Sequence, residues 1–175
     1  MTEVDQIALF LRFSPKITHV QLKLMQILPS AGFWPRCMAF LIDAAIISSL
    51  HFSCFFILGL STYQTVLKRF PASLGAIAVF LILFLFSCHL LAMAYFTVFH
   101  AISGQTIGKL CLGLRVVSQE GERLSVGAAF LRWVGYIVSG LPLAAGFLWV
   151  VVDDKGLAWH DRLAGSAVVE LAETT

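Results

Sequence analysis

Two apolar runs, Cys37–Leu60 and Ala72–His100, decide what this chain can fold into, because each exceeds the roughly 20 residues that carry a helix across a bilayer. With 59% hydrophobic and only 13% charged residues, and a mean hydropathy of +0.88, the chain lies far from a soluble globular mixture. One acid sits in the first run. Asp43 is the single acidic residue between positions 6 and 119. An aspartate at the centre of a membrane helix costs roughly 2.5–3.5 kcal/mol, so such a residue faces protein interior, meets a cation or lines a polar path. Arg36 lies seven residues earlier, nearly two turns, which puts it on almost the same face about 10 Å along the axis. The spacing makes Arg36 the expected cation for Asp43 and predicts one polar stripe, with Arg36 at the mouth and Asp43 below it.

The ends and the breaks order the rest. Residues 1–34 mix Ile7, Phe10, Ile17, Val20, Leu24 and Leu28 with Arg12, Lys16 and Lys23, the pattern of an amphipathic segment on an anionic membrane face or of a cytosolic tail. No basic start precedes a short apolar core, so the first apolar helix is expected to stay as an anchor. Ser61–Pro71 with Lys68 and Arg69 is a connector, and the run after it is long enough to tilt. Ser103–Leu124 is a polar break containing a β-type stretch, Leu112–Ser118, and a turn at Gln119–Glu122. The third apolar stretch, Ser125–Val152, is interrupted at Ser139-Gly140-Leu141-Pro142, which implies a kinked span or a hairpin of two short helices.

Basic residues favour the hairpin. If the tail returns to the side of the N-terminus, ten lysines and arginines lie inside and two outside, against eight and four for a single crossing. The hairpin also lets Ser166–Leu171 pair with Leu112–Ser118, satisfying backbone groups that lone strands leave open. The expected fold is therefore an all-α, multi-pass membrane bundle with two full spans, a broken third hydrophobic unit and a small cytoplasmic β pair. Residues 1–31 form an N-terminal segment, 32–171 the transmembrane domain and 172–175 a tail. Four cysteines, three in apolar runs and none closely paired, make no disulfide framework. A net charge of +2 without basic or acidic tails gives no footprint for nucleic acid.

Three blocks carry a family likeness. Gly32-Phe33-Trp34-Pro35-Arg36 with Ala39 and Ile42-Asp43, then Gly104-Gln105-Thr106-Ile107-Gly108-Lys109 with Gly113-Leu114-Arg115-Val116-Val117, then His160-Asp161-Arg162-Leu163-Ala164-Gly165 resemble the RDD family of membrane proteins, over roughly residues 32–170. The family takes its name from one arginine and two aspartates, which the likeness maps to Arg36, Asp43 and Asp161. Ser166 stands where a threonine is common. The resemblance implies a multi-pass protein of the bacterial inner membrane, associated with transport and in some members with cation/proton exchange.

The candidate polar site is Arg36, Asp43 and Asp161 with His160 and Arg132. A carboxylate in low dielectric holds protons more tightly, so exchange of a cation for a proton at Asp43 is one chemistry this set allows. The structural alternative makes Arg36 and Asp161 an ion pair clamping the tail to the bundle, with Asp43 capping backbone or hydroxyl groups. Gly104–Lys109 fails the phosphate-loop spacing, having three residues between its glycines and Leu110 after the lysine. Lys109 and Arg115 are instead candidates for lipid phosphate, beside the plainer reading of a tight turn after the second helix. His89 and His100 share a helical face, but no partner with ligand spacing accompanies them, so no cofactor or metal is expected. His160 beside Asp161 does not make a catalytic triad, and no enzyme activity is expected.

The functional expectation is transport of a small cation or solute, coupled to protons through Asp43. The alternative is an accessory, assembly or regulatory subunit of a membrane complex. So few helices cannot enclose an aqueous path alone, so the partners expected are the lipid bilayer and either a second copy of the chain or another membrane subunit. Lysine and arginine counting places the N-terminus in the cytoplasm.

Overall fold

A computed structural model describes residues 29–62 and 74–171, so the expectations for residues 1–28, for 63–73 within the connector and for the tail 172–175 fall outside the described residues. The chain divides into two compact units. One takes the chain up to Asp43 and again from Tyr95 onward, and the other is Ala44–Ala94.

Two long helices dominate, α1 (Phe33–Thr62) and α2 (Leu74–Ile102). Both begin or end a little beyond the apolar runs. Helix α1 starts at Phe33 because Pro35 falls in its first turn, where a missing N–H costs nothing. By length and composition α1 and α2 can each cross a membrane. Their side chains agree with that: Phe52, Ile57, Ile82 and Phe86 are each more than 60% exposed, an apolar surface far larger than a water-soluble protein leaves open.

Helix α2 ends in a tight turn. Gly104 takes φ +70°, and a Cβ there would lie 2.5 Å from the Val116 carbonyl oxygen. Thr106 then caps the short helix α3 (Ile107–Cys111), its hydroxyl accepting from the Lys109 amide. The glycine-rich stretch is thus a turn and a cap.

Strands β1 (Leu114–Ser118) and β2 (Ser166–Glu170) pair antiparallel, with Leu114 opposite Glu170 and Ser118 opposite Ser166. The lead-in to α1 extends this sheet. Ser30 bridges Val169, the Ala31 amide donates to the Val168 carbonyl and the Glu170 amide donates to the Pro29 carbonyl. Ala31, Leu114, Val116 and Val168 make the small buried core between them.

Helix α4 (Val126–Gly140), capped by Ser125, is followed after a sharp break by α5 (Ala145–Leu148) and a 3-10 turn, Trp149–Val151. The two pieces are bent by 110°. The break falls on the predicted glycine and proline, where Leu143 and Ala144 both take positive φ. The second piece is short, four residues of α-helix followed by the three-residue 3-10 turn. Helix α6 (Trp159–Leu163) then leads into β2.

Candidate functional site

The predicted stripe is two separate centres, both within the unit formed by the first part of α1 and the chain from Tyr95 onward. The first is built on Asp161. Its Oδ2 lies 2.5 Å from Arg36 Nη1 and accepts from the Ala158 amide, and its Oδ1 lies 2.5 Å from Arg132 Nη1. Asp161 and Arg132 are almost wholly buried, at 0% and 1% exposure. The carboxylate can sit there only because two guanidiniums share it. Burial alone would raise the Asp161 pKa, but Arg132, Arg36 and the Ala158 amide outweigh that and hold the carboxyl well below its usual range.

Each arginine has further partners. Arg36 donates from Nε to the Ala31 carbonyl, and from Nη2 to Ser30 Oγ and the Gly156 carbonyl. It therefore ties the start of α1 to the loop before α6. Arg132 donates to Ser166 Oγ and from Nε to the Tyr136 hydroxyl, with its guanidinium 5.9 Å from the Tyr136 ring centroid. Ser166 keeps the hydroxyl expected of a threonine there. It also donates to the Asp161 carbonyl.

His160 packs against this centre, its ring between Tyr136 and Phe147 and its Nδ1 3.4 Å from Ser139 Oγ. Burial pushes its pKa down to about 3; the nearby Asp161 opposes the shift, and Arg132, Arg36 and Lys109 add to it. The close approach of α6 to α4 needs Gly135, since a Cβ there would sit 2.8 Å from both Cα and Cβ of His160.

The second centre is Asp43. Its Oδ1 accepts from the Tyr95 hydroxyl and the Gly108 amide, both at 2.7 Å, and its Oδ2 accepts from the Thr106 hydroxyl at 2.5 Å. Asp43 is fully buried. Among the described residues it makes no bond with Arg36, which corrects the expectation that Arg36 is its cation. The physical reason is reach. Arg36 is spent on groups beyond the end of α1, while the two Asp43 oxygens are taken by the first turn of α3 and by α2. Gly108 permits this contact, because a Cβ there would stand 2.1 Å from the Ala39 carbonyl oxygen.

A mostly apolar cavity of about 400 Å³ opens beside the first centre, with Arg36, Lys109, Arg132 and His160 among its lining residues. Lys109 is 5% exposed, and its ammonium has no hydrogen bond or ion pair among the described residues. Arg115 is also buried, at 3% exposure, with Nε and Nη1 lacking partners; burial and then Arg123 push its pKa down to about 10. Neither side chain stands on an open face, so an anion reaches Lys109 only by entering the cavity. The third basic helix position that matters, Arg132, was in the expected set; Tyr95, Thr106, Tyr136 and Ser139 were not. Their signal is faint: three tyrosines against 15 phenylalanines mark the aromatic positions where a hydroxyl is worth keeping.

Among the described residues no three His, Cys, Asp or Glu side chains gather as a metal site. His89 turns its Nδ1 to the Leu85 carbonyl of its own helix.

Residues 30–165, which hold Arg36, Asp43 and Asp161, are matched in sequence by the RDD family. The chain belongs to the RDD family. The uncharacterized protein YxaI of Bacillus subtilis (strain 168) is 32% identical over 153 residues, which cover 79% of this chain and 96% of that relative. The uncharacterized protein YckC of the same organism is 30% identical over 149 residues, covering 82% of this chain and 87% of the relative. No solved structure matches. As an RDD protein with two span-forming helices, the chain is a membrane protein.

Proposed function

We propose that this RDD protein is a multi-pass protein of the bacterial inner membrane, with its N-terminus cytoplasmic, that takes part in moving a small, negatively charged solute. The cavity with Arg36, Lys109 and Arg132 is its binding element. The observation that carries this reading is the Lys109 side chain lining that cavity, only 5% exposed and with no ion pair among the described residues. An uncompensated buried cation is costly, and an anion is what relieves it. Cation exchange through Asp43 is weaker on the same grounds. A cation at Asp43 has to displace three hydrogen bonds, and the neighbouring cavity repels it. The small number of helices makes a second copy or a partner subunit part of this reading.

The accessory-subunit reading draws on a different observation. Asp43 and Asp161 are both bonded as clamps that hold the fold together, which is all an assembly role asks of them. Flux in proteoliposomes decides. Small cations with proton counterflux and small organic anions are compared for the wild type, Asp43→Asn and Lys109→Gln. Anion flux that survives Asp43→Asn and is lost in Lys109→Gln is the expected result. Cation/proton exchange abolished by Asp43→Asn would return the coupling role to Asp43 and sink this proposal. No flux of any kind from folded protein would leave the accessory role.

A further inference from the structure

We propose that the occupant of the cavity is the anionic headgroup of a membrane phospholipid, with the start of its acyl chain lying against Phe40, Leu41 and Leu148. The inference rests on the cavity being an anion-binding element and gives it a lipid headgroup in place of a soluble anion.

Three observations carry it. The first is charge. Lys109 is nineteen-twentieths buried, lines the cavity and has no partner among the described residues, while the cavity's two arginines share one carboxylate. An anion gains a direct, charge-assisted bond from the ammonium and the field of both guanidiniums. The second is the walls. Phe40, Leu41 and Leu148 line the same cavity and are 41%, 53% and 50% exposed, so apolar surface continues from the polar part to the outside. A free anion has no use for such walls, and an amphiphile has. The third is position. Phe40 and Leu41 belong to the span-forming α1 and Leu148 to the broken apolar pair, so the outer rim of the cavity is made by the segments that meet lipid. At about 400 Å³ the space lies within the usual 300–1,000 Å³ range of small-molecule sites and suits a headgroup with the first part of a chain.

The donors set the roles. Arg36 is already bonded to the Ala31 and Gly156 carbonyls and to Asp161, so it contributes charge more than new bonds. Lys109 is the group that binds directly.

Native mass spectrometry of the full-length protein in mild detergent tests this, with phosphatidylglycerol, phosphatidylcholine and inorganic phosphate as probes. Phosphatidylglycerol is expected to bind at least tenfold more tightly than phosphatidylcholine, and inorganic phosphate is expected not to displace it at equal concentration. Lys109→Gln should cut the preference about tenfold, the range of one charge-assisted bond, and Lys109→Arg should keep most of it. Since the ammonium has no ion pair among the described residues, Lys109→Gln is expected to keep or raise thermal stability. A second variant, Leu41→Trp, changes only an exposed wall and should weaken phosphatidylglycerol several-fold. Equal binding of the two lipids, an unchanged preference in Lys109→Gln, or displacement by inorganic phosphate would each overturn the proposal, the last by making the site one for free anions. Lipid selectivity without solute flux would sink the transport reading and leave this one standing. Flux of a soluble anion that needs Lys109, without lipid selectivity, would do the reverse.

Discussion

The Asp43 carboxylate accepts the Gly108 amide at 2.7 Å, so an acid inside the first span holds down a helix start 65 residues later. The same carboxylate takes the Thr106 and Tyr95 hydroxyls. Asparagine keeps the Gly108 and Tyr95 bonds and can reorganise at Thr106, whereas alanine leaves three polar groups without a partner. Asp43→Asn is expected to cost about 1–2 kcal/mol and Asp43→Ala about 3 kcal/mol or more, at roughly 1–3 kcal/mol for each orphaned buried group. Equilibrium unfolding in mixed detergent micelles reads the difference. Equal losses in the two variants would remove the capping account.

Asp161 is the only carboxylate that buried Arg132 and half-buried Arg36 are seen to share among the described residues. Removing it leaves two guanidiniums facing each other without a counter-charge. Asp161→Asn should destabilise by about 3–5 kcal/mol, and a following Arg132→Met should recover part of that by removing the stranded charge. A double variant no more stable than Asp161→Asn would show that the cluster is not held by charge balance.

Acid should unfold the protein through His160. In the unfolded chain this group takes a proton near 6.5; in the folded chain burial holds it neutral until about 3. The unfolded state binds the extra proton across that window. Stability is thus complete above about 6.5 and falls as pH drops toward 3, by up to about 1.4 kcal/mol per pH unit. The lowered Asp161 pKa acts in the same direction, with stability present above 3.8 and lost as pH falls below it. Thermal unfolding across this range checks the slope, and His160→Gln should flatten its upper part. A wild-type melting temperature that is constant from neutral pH to pH about 4 would contradict the buried neutral ring.

Close helix contacts give a packing test. A Cβ on Gly146 would come within 2.5 Å of Ser139 Cα, and one on Gly135 within 2.8 Å of His160 Cα, while Gly59 has nothing within 4 Å. Gly146→Ala and Gly135→Ala should each cost about 1–3 kcal/mol by overpacking. Gly59→Ala should cost nothing and serve as the control. Unfolding midpoints of the three variants, measured side by side, separate packing from a general effect of adding a methyl.

Much of the architecture is legible in the sequence, and the reason is periodic composition. Uninterrupted apolar runs announce α1 and α2, Gly140 and Pro142 announce the break after α4, and the two short β-type stretches pair as expected, in an antiparallel register that the sequence does not specify. The grouping of Arg36, Asp161, His160 and Arg132 follows once the tail returns to the start of α1. What could not be read is which polar group meets which. A spacing of seven residues places Arg36 and Asp43 on one face of a helix but says nothing about partners, and those of Asp43 lie 52, 63 and 65 residues away. Lys109 likewise reads as a surface charge in a polar break. It is buried because α3 tucks against Ala39, which depends on the missing side chain of its neighbour Gly108.

The ion pair between Arg36 and Asp161 joins residues 125 positions apart. A ribosome adding roughly 5–20 residues per second exposes Arg36 on the order of ten seconds before its counter-charge exists. Throughout that interval the first span carries at its mouth a cation with local hydrogen bonds to Ala31 and Ser30 but without the counter-charge of Asp161. The last folded strand and the helix before it act as a latch on a segment inserted long before, so translation that stops short of Asp161 yields an inserted but unlocked first span, recognisable to quality-control proteases by that exposed arginine.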